Sequence, residues 1–178
     1  FALVIGADGM YSAVRRAAFG PESEFLRPLG LLNAWFTVPA EVDLDGWYLM
    51  HNVPGGKVAS LRPGRLPGEQ KAGLSVRSSE EFDRHDVEAQ RDLLARHFEG
   101  VGWEAARLVR GARRSPDLYL HAMAQVRMEH WSRGRVVLIG DAGYCPTPLT
   151  GLGTSLALVG AYVLAGELAA AGPEHPET

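Results

Sequence analysis

One cysteine, Cys145, stands among 178 residues, which excludes an internal disulfide. Set in a proline-flanked turn, its thiol reads as a small buried side chain rather than a nucleophile. Clustered positive charge is also missing. The chain carries 18 Lys and Arg against 21 Asp and Glu, a net charge of −3, with the arginines scattered, so binding to nucleic acid is not expected. No spacing of His, Cys, Asp and Glu suits a metal, and no Ser, His and Asp arrangement suits a hydrolytic relay. The Gly-x-Gly-x-x-Gly loop of dinucleotide-binding units is absent as well, which disfavours a nicotinamide dehydrogenase. No signal-peptide pattern opens the chain, and the cytoplasm is the expected compartment.

Only one run is nearly free of charge, Leu149 to Ala171, where Glu167 is the single exception. Gly151, Gly153, Gly160 and Gly166 interrupt it, and no Lys or Arg anchors flank it, so it reads as a buried helix rather than a membrane span. Gly153, Ala157, Gly160 and Leu164 would give that helix a narrow face, allowing a sheet or ligand to come close. Gly172 and Pro173 should stop it, and the polar tail from Glu174 to Thr178 is expected to be mobile.

What is present is a core's worth of apolar residues, 46% of the chain, and two acidic turns. Near the carboxyl end, Val136 to Ile139 reads as a buried strand, Gly140 and Asp141 as the turn leaving it, and Leu152 onward as a helix entered through Gly151 and Gly153. Asp141 could accept hydrogen bonds from sugar-like hydroxyls. The N–H groups near Gly153, Thr154 and Ser155 would face whatever sits before the helix. A generic strand, turn and helix with a capping Asp fits the Gly-Asp-Ala triplet equally well. At the other end, Phe1 to Ile5 is a second short strand, followed by Gly6, Ala7, Asp8 and Gly9, then Ser12 and a helix-compatible run from Ala13 to Phe19. A carboxylate at Asp8 would repel phosphates, so this is not a plain pyrophosphate cradle. Asp8 as a turn former and Ser12 as a helix cap is the competing reading.

Together these motifs carry a family resemblance. Gly6, Ala7, Asp8 and Gly9 with Ser12 and Arg15 resemble the Asp-Gly motif of the single-component flavin-dependent aromatic hydroxylases, the p-hydroxybenzoate hydroxylase family. Gly140, Asp141 and Ala142 through Pro148, Gly151 and Gly153 resemble their Gly-Asp motif. The resemblance implies an α/β fold: part of a Rossmann-like FAD-binding parallel sheet, with an antiparallel substrate-binding sheet inserted. The flavin domain would comprise 1–26 and 129–178, and the substrate domain 27–128. It also implies a fragment, lacking the amino-terminal glycine-rich portion, with an open strand edge at Phe1 to Ile5 that invites pairing with another copy. The isolated fragment is expected to be inactive.

By the same resemblance, FAD is the cofactor and NAD(P)H the co-substrate of a monooxygenase that hydroxylates an aromatic or polyketide-like small molecule. Asp8, Gly9, Arg15, Gly140, Asp141, Gly151, Gly153, Thr154 and Ser155 would hold the cofactor, with Arg15 bracing the Asp8 turn. Pro148 would border the site of oxygen transfer. A flavin-dependent reductase or oxidase on the same fold, or a non-catalytic ligand-binding module, are the alternatives.

The middle of the chain alternates strands and turns. Leu29 to Val38, Gly46 to Val53, Lys57 to Arg62 and Lys71 to Ser78 read as strands of an antiparallel sheet. Asp86 to Phe98 and Trp103 to Val109 read as helices, and Leu118 to Met128 as a return strand. The resemblance makes this sheet a wall of the substrate pocket, with Trp35, Trp47, Tyr48, Met50, His51 and Asn52 as candidates to line it. Each has a structural competitor, since a strand tryptophan or methionine is commonly core.

Overall fold

A computed structural model describes residues 1–172; the expected tail from Glu174 to Thr178 lies outside the described residues. In chain order the elements are β1 (Val4–Gly6), α1 (Ala13–Ala18), α2 (Glu22–Phe25), β2 (Leu26–Pro39), β3 (Leu49–Val53), β4 (Lys57–Pro63), β5 (Glu69–Arg77), α3 (Val87–Phe98), α4 (Ala105–Arg114), β6 (Tyr119–Val126), β7 (Ser132–Arg133), β8 (Val136–Leu138), α5 (Asp141–Tyr144) and α6 (Gly153–Ala171). A 3-10 turn covers Pro148–Thr150. Three strands form one sheet in the order β1-β8-β7, and five form another in the order β3-β4-β5-β2-β6. The chain divides into two units: Phe1–Leu29 with Met123 onward, and Gly30–Ala122. Helices and two sheets, one mixed and one antiparallel, make the α/β architecture that the motifs imply.

The unit from Gly30 to Ala122 is organised by alternation. Along β2, Leu32, Ala34, Phe36 and Val38 are buried, and their register partners Val76, Leu74, Ala72 and Gln70 on β5 continue that face. Ala59 and Leu61 on β4 extend it, and α3 and α4 close it with Leu93, Leu94, Phe98, Ala105, Leu108 and Ala112. Each fully buried Leu, Val or Phe contributes about 1.5–3 kcal/mol. Helix α3 begins where Asp86 accepts a hydrogen bond from the Ala89 N–H at 2.9 Å. A Cβ at Gly111 would lie 2.5 Å from Val38 Cγ1, so only glycine lets α4 sit this close to β2.

Several expected boundaries move: β1 covers Val4–Gly6 rather than Phe1 to Ile5, β2 starts at Leu26 rather than Leu29, and β6 ends at Val126 rather than Met128. Strand β3 begins at Leu49 rather than Gly46, because Asp45 and Gly46 turn the backbone with φ of 45° and 75°. Helix α4 begins at Ala105 rather than Trp103, whose φ of 55° is incompatible with a right-handed helix, and it runs on to Arg114 despite Gly111, with Arg110, Ala112, Arg113 and Arg114 as good helix formers around it.

In the other unit, β1 pairs with β8 in parallel, with Val4, Ile5 and Gly6 opposite Val136, Val137 and Leu138. β1 is an edge strand and Ile5 is exposed. Helix α6 corrects an expectation: it forms, yet none of its residues is buried. Only its narrow side meets protein. A Cβ at Gly140 would lie 3.3 Å from Ala157 Cβ, and one at Gly160 would overlap the Tyr144 hydroxyl, while Leu158, Val159, Tyr162 and Val163 have no layer over them among the described residues. By length and composition α6 could cross a membrane.

Candidate functional site

Parallel pairing of β1 and β8 makes both acidic turns leave the same edge of one sheet. Gly6 permits the close pairing, since a Cβ there would lie 2.5 Å from the Leu138 side chain. Beyond the ladder, the Ile139 N–H donates to the Gly6 carbonyl at 2.9 Å. Gly140 then adopts φ 60° and ψ −141°, a conformation open to glycine alone, and starts α5 with Asp141 in its first turn. The two turns share a cleft of about 620 Å³. Ala7 and Gly9 line it from the first turn, Gly140 and Asp141 from the second, and Pro148, Gly151, Gly153 and Thr154 from the segment that follows.

That following segment is tightly constrained. Thr147 takes φ 81° and ψ 145°, a region rarely entered by a residue with a Cβ. Its carbonyl accepts from the Thr150 N–H at 3.2 Å and the Thr150 hydroxyl at 3.0 Å, and its own hydroxyl donates to Met123 Sδ at 3.8 Å. These contacts fix Pro148 at the cleft wall. Gly151, left-handed at φ 68°, turns the chain into α6. The first amide bonded along α6 is that of Leu156, to the Leu152 carbonyl at 3.0 Å, so the N–H groups of Gly153, Thr154 and Ser155 precede the helical ladder.

Asp8, by contrast, is turned into its own helix. Its carboxylate accepts from the Ser12 hydroxyl at 2.5 Å and from the amides of Ala13 at 2.7 Å and Val14 at 3.2 Å. Partial burial works to raise its pKa but is outweighed by those donors, which hold it below the usual carboxylate range. Asp8 thus shapes the turn whose backbone lines the cleft, as does Arg15, wholly buried behind it. Ser155, at the third helical position, is exposed but lies outside the lining as well.

Sequence reasoning missed Ile139, Cys145, Pro146, Thr147 and Leu158 as lining residues, while Ala157 lines the cleft from the narrow face of α6 expected to admit a sheet or ligand. Leu158 follows from Thr154 by one helical turn, a signal that was available. Burial pushes the Cys145 thiol up, with the Asp141 carboxylate adding to the rise.

The candidates on the inserted sheet separate by face. Met50 is in register with Ser60 and Gly73, as is Trp35, so these lie on the face away from α3 and α4, and Asn52 shares it. A Cβ at Gly73 would meet Ser60 Oγ at 2.5 Å and the Trp35 ring at 2.9 Å, so the indole lies across the glycine. The Tyr48 hydroxyl reaches Ser60 Oγ at 3.4 Å on the same side, and Trp47 is exposed just before β3. His51 stands apart. It is in register with buried Ala59 on the opposite face and lies tilted against Trp103, ring centroids 5.8 Å apart at 34°. Tyr119 and His121, stacked at 5.8 Å and 15°, were not foreseen.

Residues that could hold a dinucleotide-like cofactor are therefore present: an exposed carboxylate, glycine backbone on three sides, and amides free of helical acceptors. No cluster of three or more His, Cys, Asp or Glu able to hold a metal occurs among the described residues.

Comparisons agree with this geometry. An uncharacterized protein of Mycobacterium tuberculosis (strain ATCC 25618 / H37Rv) is 48% identical over 176 residues, covering 98% of this chain and 47% of that protein. A flavin-dependent monooxygenase of Legionella longbeachae is 40% identical over 174 residues, covering 97% of this chain and 44% of the relative. The crystal structure of tetracycline destructase Tet(55) superposes with a TM-score of 0.85 at 38% identity, covering 98% of this chain and 46% of that one. The chain thus spans about half the length of the relatives it matches. The family described as FAD binding domain matches residues 2–175, and with its two acidic turns on one cleft the chain belongs to that family.

Proposed function

We propose that these residues form about half of an FAD-dependent, NAD(P)H-using monooxygenase that hydroxylates a planar aromatic or polyketide-like molecule. The observation that carries the reading is the single cleft lined by both acidic turns and by the start of α6. Bound FAD would supply the redox chemistry, by which substrate, O2, NAD(P)H and a proton give hydroxylated substrate, water and NAD(P)+.

The chain's own residues bind and orient. Asp141 would accept hydrogen bonds from the ribityl hydroxyls of bound FAD, each charge-assisted bond being worth about 1.5–3 kcal/mol. The amides of Gly153 and Thr154, at the positive end of α6, would favour negative charge on a bound flavin by up to about 2 kcal/mol when partly buried, with Ser155 outside the lining. Gly9, Gly140 and Gly151 allow the backbone to approach the cofactor where a Cβ would stand off. Pro148 presents an apolar ring with no N–H of its own to the cleft, and Asp8 and Arg15 act indirectly by shaping the turns. On the inserted sheet, Trp35 offers a flat apolar surface, while Trp47, Tyr48, Met50 and Asn52 offer further contacts and a polar group for orientation. The tetracycline destructase likeness supports a fused-ring substrate class.

The test uses the intact protein. Titration with FAD should quench flavin fluorescence, and Asp141→Ala should weaken binding at least about ten-fold, the equivalent of one charge-assisted bond. Turnover under 18O2 with a panel of planar phenols should place one labelled atom in the product. Hydrogen peroxide formed without labelled product would replace the reading with an oxidase, and absence of FAD binding would overturn it.

A further inference from the structure

The ladder between β1 and β8 is only three residue pairs long, yet the turns that leave it must hold a fixed spacing to share one cleft. Parallel pairs gain little from so short a run. Behind the cleft lies a second tie. The Arg15 side chain is wholly buried, and its two terminal nitrogens donate to carbonyls of different turns: Nη1 to Ala142 at 2.7 Å and Nη2 to Met10 at 2.6 Å. Met10, 5 residues from Arg15, follows the first acidic turn, and Ala142, 127 residues from Arg15, follows the second.

We propose that Arg15 is a positioning residue that locks the two acidic turns at the spacing FAD requires, a role that rests on the flavin reading above. The tie continues from the guanidinium to Asp8. The Arg15 N–H donates to Ser12 Oγ at 2.8 Å, and that hydroxyl donates to Asp8 at 2.5 Å, so one hydrogen-bonded path runs from the Asp8 carboxylate to α5. Among the described residues no side-chain carboxylate bonds the guanidinium, and its Nε has no partner. A simple core brace would be met more cheaply by an apolar side chain. A charge buried against two carbonyls suits a part that must fix two backbones at once, because the planar fork spans them in one rigid unit. Lysine carries its three donors on one nitrogen at the end of a flexible stem, so it would hold no fixed spacing between the two carbonyls.

The experiment compares wild type, Arg15→Met, Arg15→Lys and Leu94→Ala in the intact protein. Leu94 belongs to the core of the inserted unit and supplies a destabilised control. Both Arg15 variants should weaken FAD binding about ten-fold or more and change the visible circular dichroism of bound flavin. Leu94→Ala should lower the melting temperature with affinity and dichroism unchanged. In Arg15→Lys without flavin, hydrogen exchange should quicken together in residues 8–12 and 140–145. Arg15 variants that melt earlier but bind FAD with wild-type affinity and dichroism would overturn the proposal, as would loosening of one turn alone. If Arg15→Met does not fold, Arg15→Lys decides. If wild type binds no FAD, the flavin reading fails, and the exchange result still judges the tether.

Discussion

The two units are stabilised by different means. Between Gly30 and Ala122, a continuous apolar layer spans four strands and two helices, and seventeen buried residues join one cluster. The unit that carries the cleft has a buried cluster of four, Met10, Ala124, Val126 and Cys145. Its shape depends instead on polar ties to backbone: Arg15 to Met10 and Ala142, Asp8 to the start of α1, Thr147 to Thr150, and Arg133 to the Ala18 carbonyl at 3.0 Å. Apolar packing tolerates small shifts because it is non-directional, whereas these bonds fix distances. The site therefore lies where the geometry is prescribed bond by bond.

That contrast can be broken most severely in the layered unit. Leu94→Ala should cost about 2–5 kcal/mol, the range for a buried leucine, and chemical denaturation should show the loss. An effect below about 1 kcal/mol would mean that the layer is not the main support. Arg15→Met comes next: it leaves two carbonyls without their donors, for about 1–3 kcal/mol each, and hydrogen exchange should localise the change to the cleft unit. Opening of residues 30–122 instead would erase the distinction.

Gly73→Ala should cost about 1–3 kcal/mol by forcing the Trp35 indole off the sheet, and tryptophan fluorescence should shift. Asp8→Ala removes a capping acceptor and should cost about 1 kcal/mol, read from the melting temperature.

The smallest effect concerns acid. Burial works to raise the Asp117 pKa, but the hydroxyls of Ser115 and Thr37, the Thr37 amide and Lys71 outweigh it and hold this carboxyl far below the usual range. A depressed folded pKa gives stability that is complete above the unfolded value, near about 3.9, and is lost as pH falls below it. Asp8 follows the same sign. Acid titration should therefore weaken both units below about pH 4, and Asp117→Asn should flatten that limb in the inserted unit alone.

Elements that follow from period and punctuation were legible in the sequence. β2, β4, β5 and α3 fall within a few residues of their expected ends, because alternation, Pro-Gly turns and the Asp86 cap are local signals. Asp141, Gly140 and Gly153 could be named because a strand, a glycine turn and a helix start are adjacent in sequence. The direction in which Asp8 points was not legible, since a carboxylate that caps a helix and one that faces a ligand leave the same Asp-Gly signature. The carbonyls chosen by Arg15 are 5 and 127 residues away and depend on the parallel pairing. His51 and Asn52 are neighbours on one strand, and a one-residue step decides which face each occupies. Burial of α6 was expected from its composition, but composition says only that a helix is apolar and not what lies over it.

The backbone at Thr147 has a consequence for the order in which the cleft comes apart. Two flanking prolines and a residue outside its own preferred basin leave the segment from Pro146 to Pro148 with no local reason to bend this way, so a short synthetic peptide of that sequence should show none of the bend. Its curvature is borrowed from Met123 and Thr150, and it returns to an extended strand of prolines when those neighbours let go. On gradual warming, the proline wall should dissolve before the glycine turns beside it, which need no such loan.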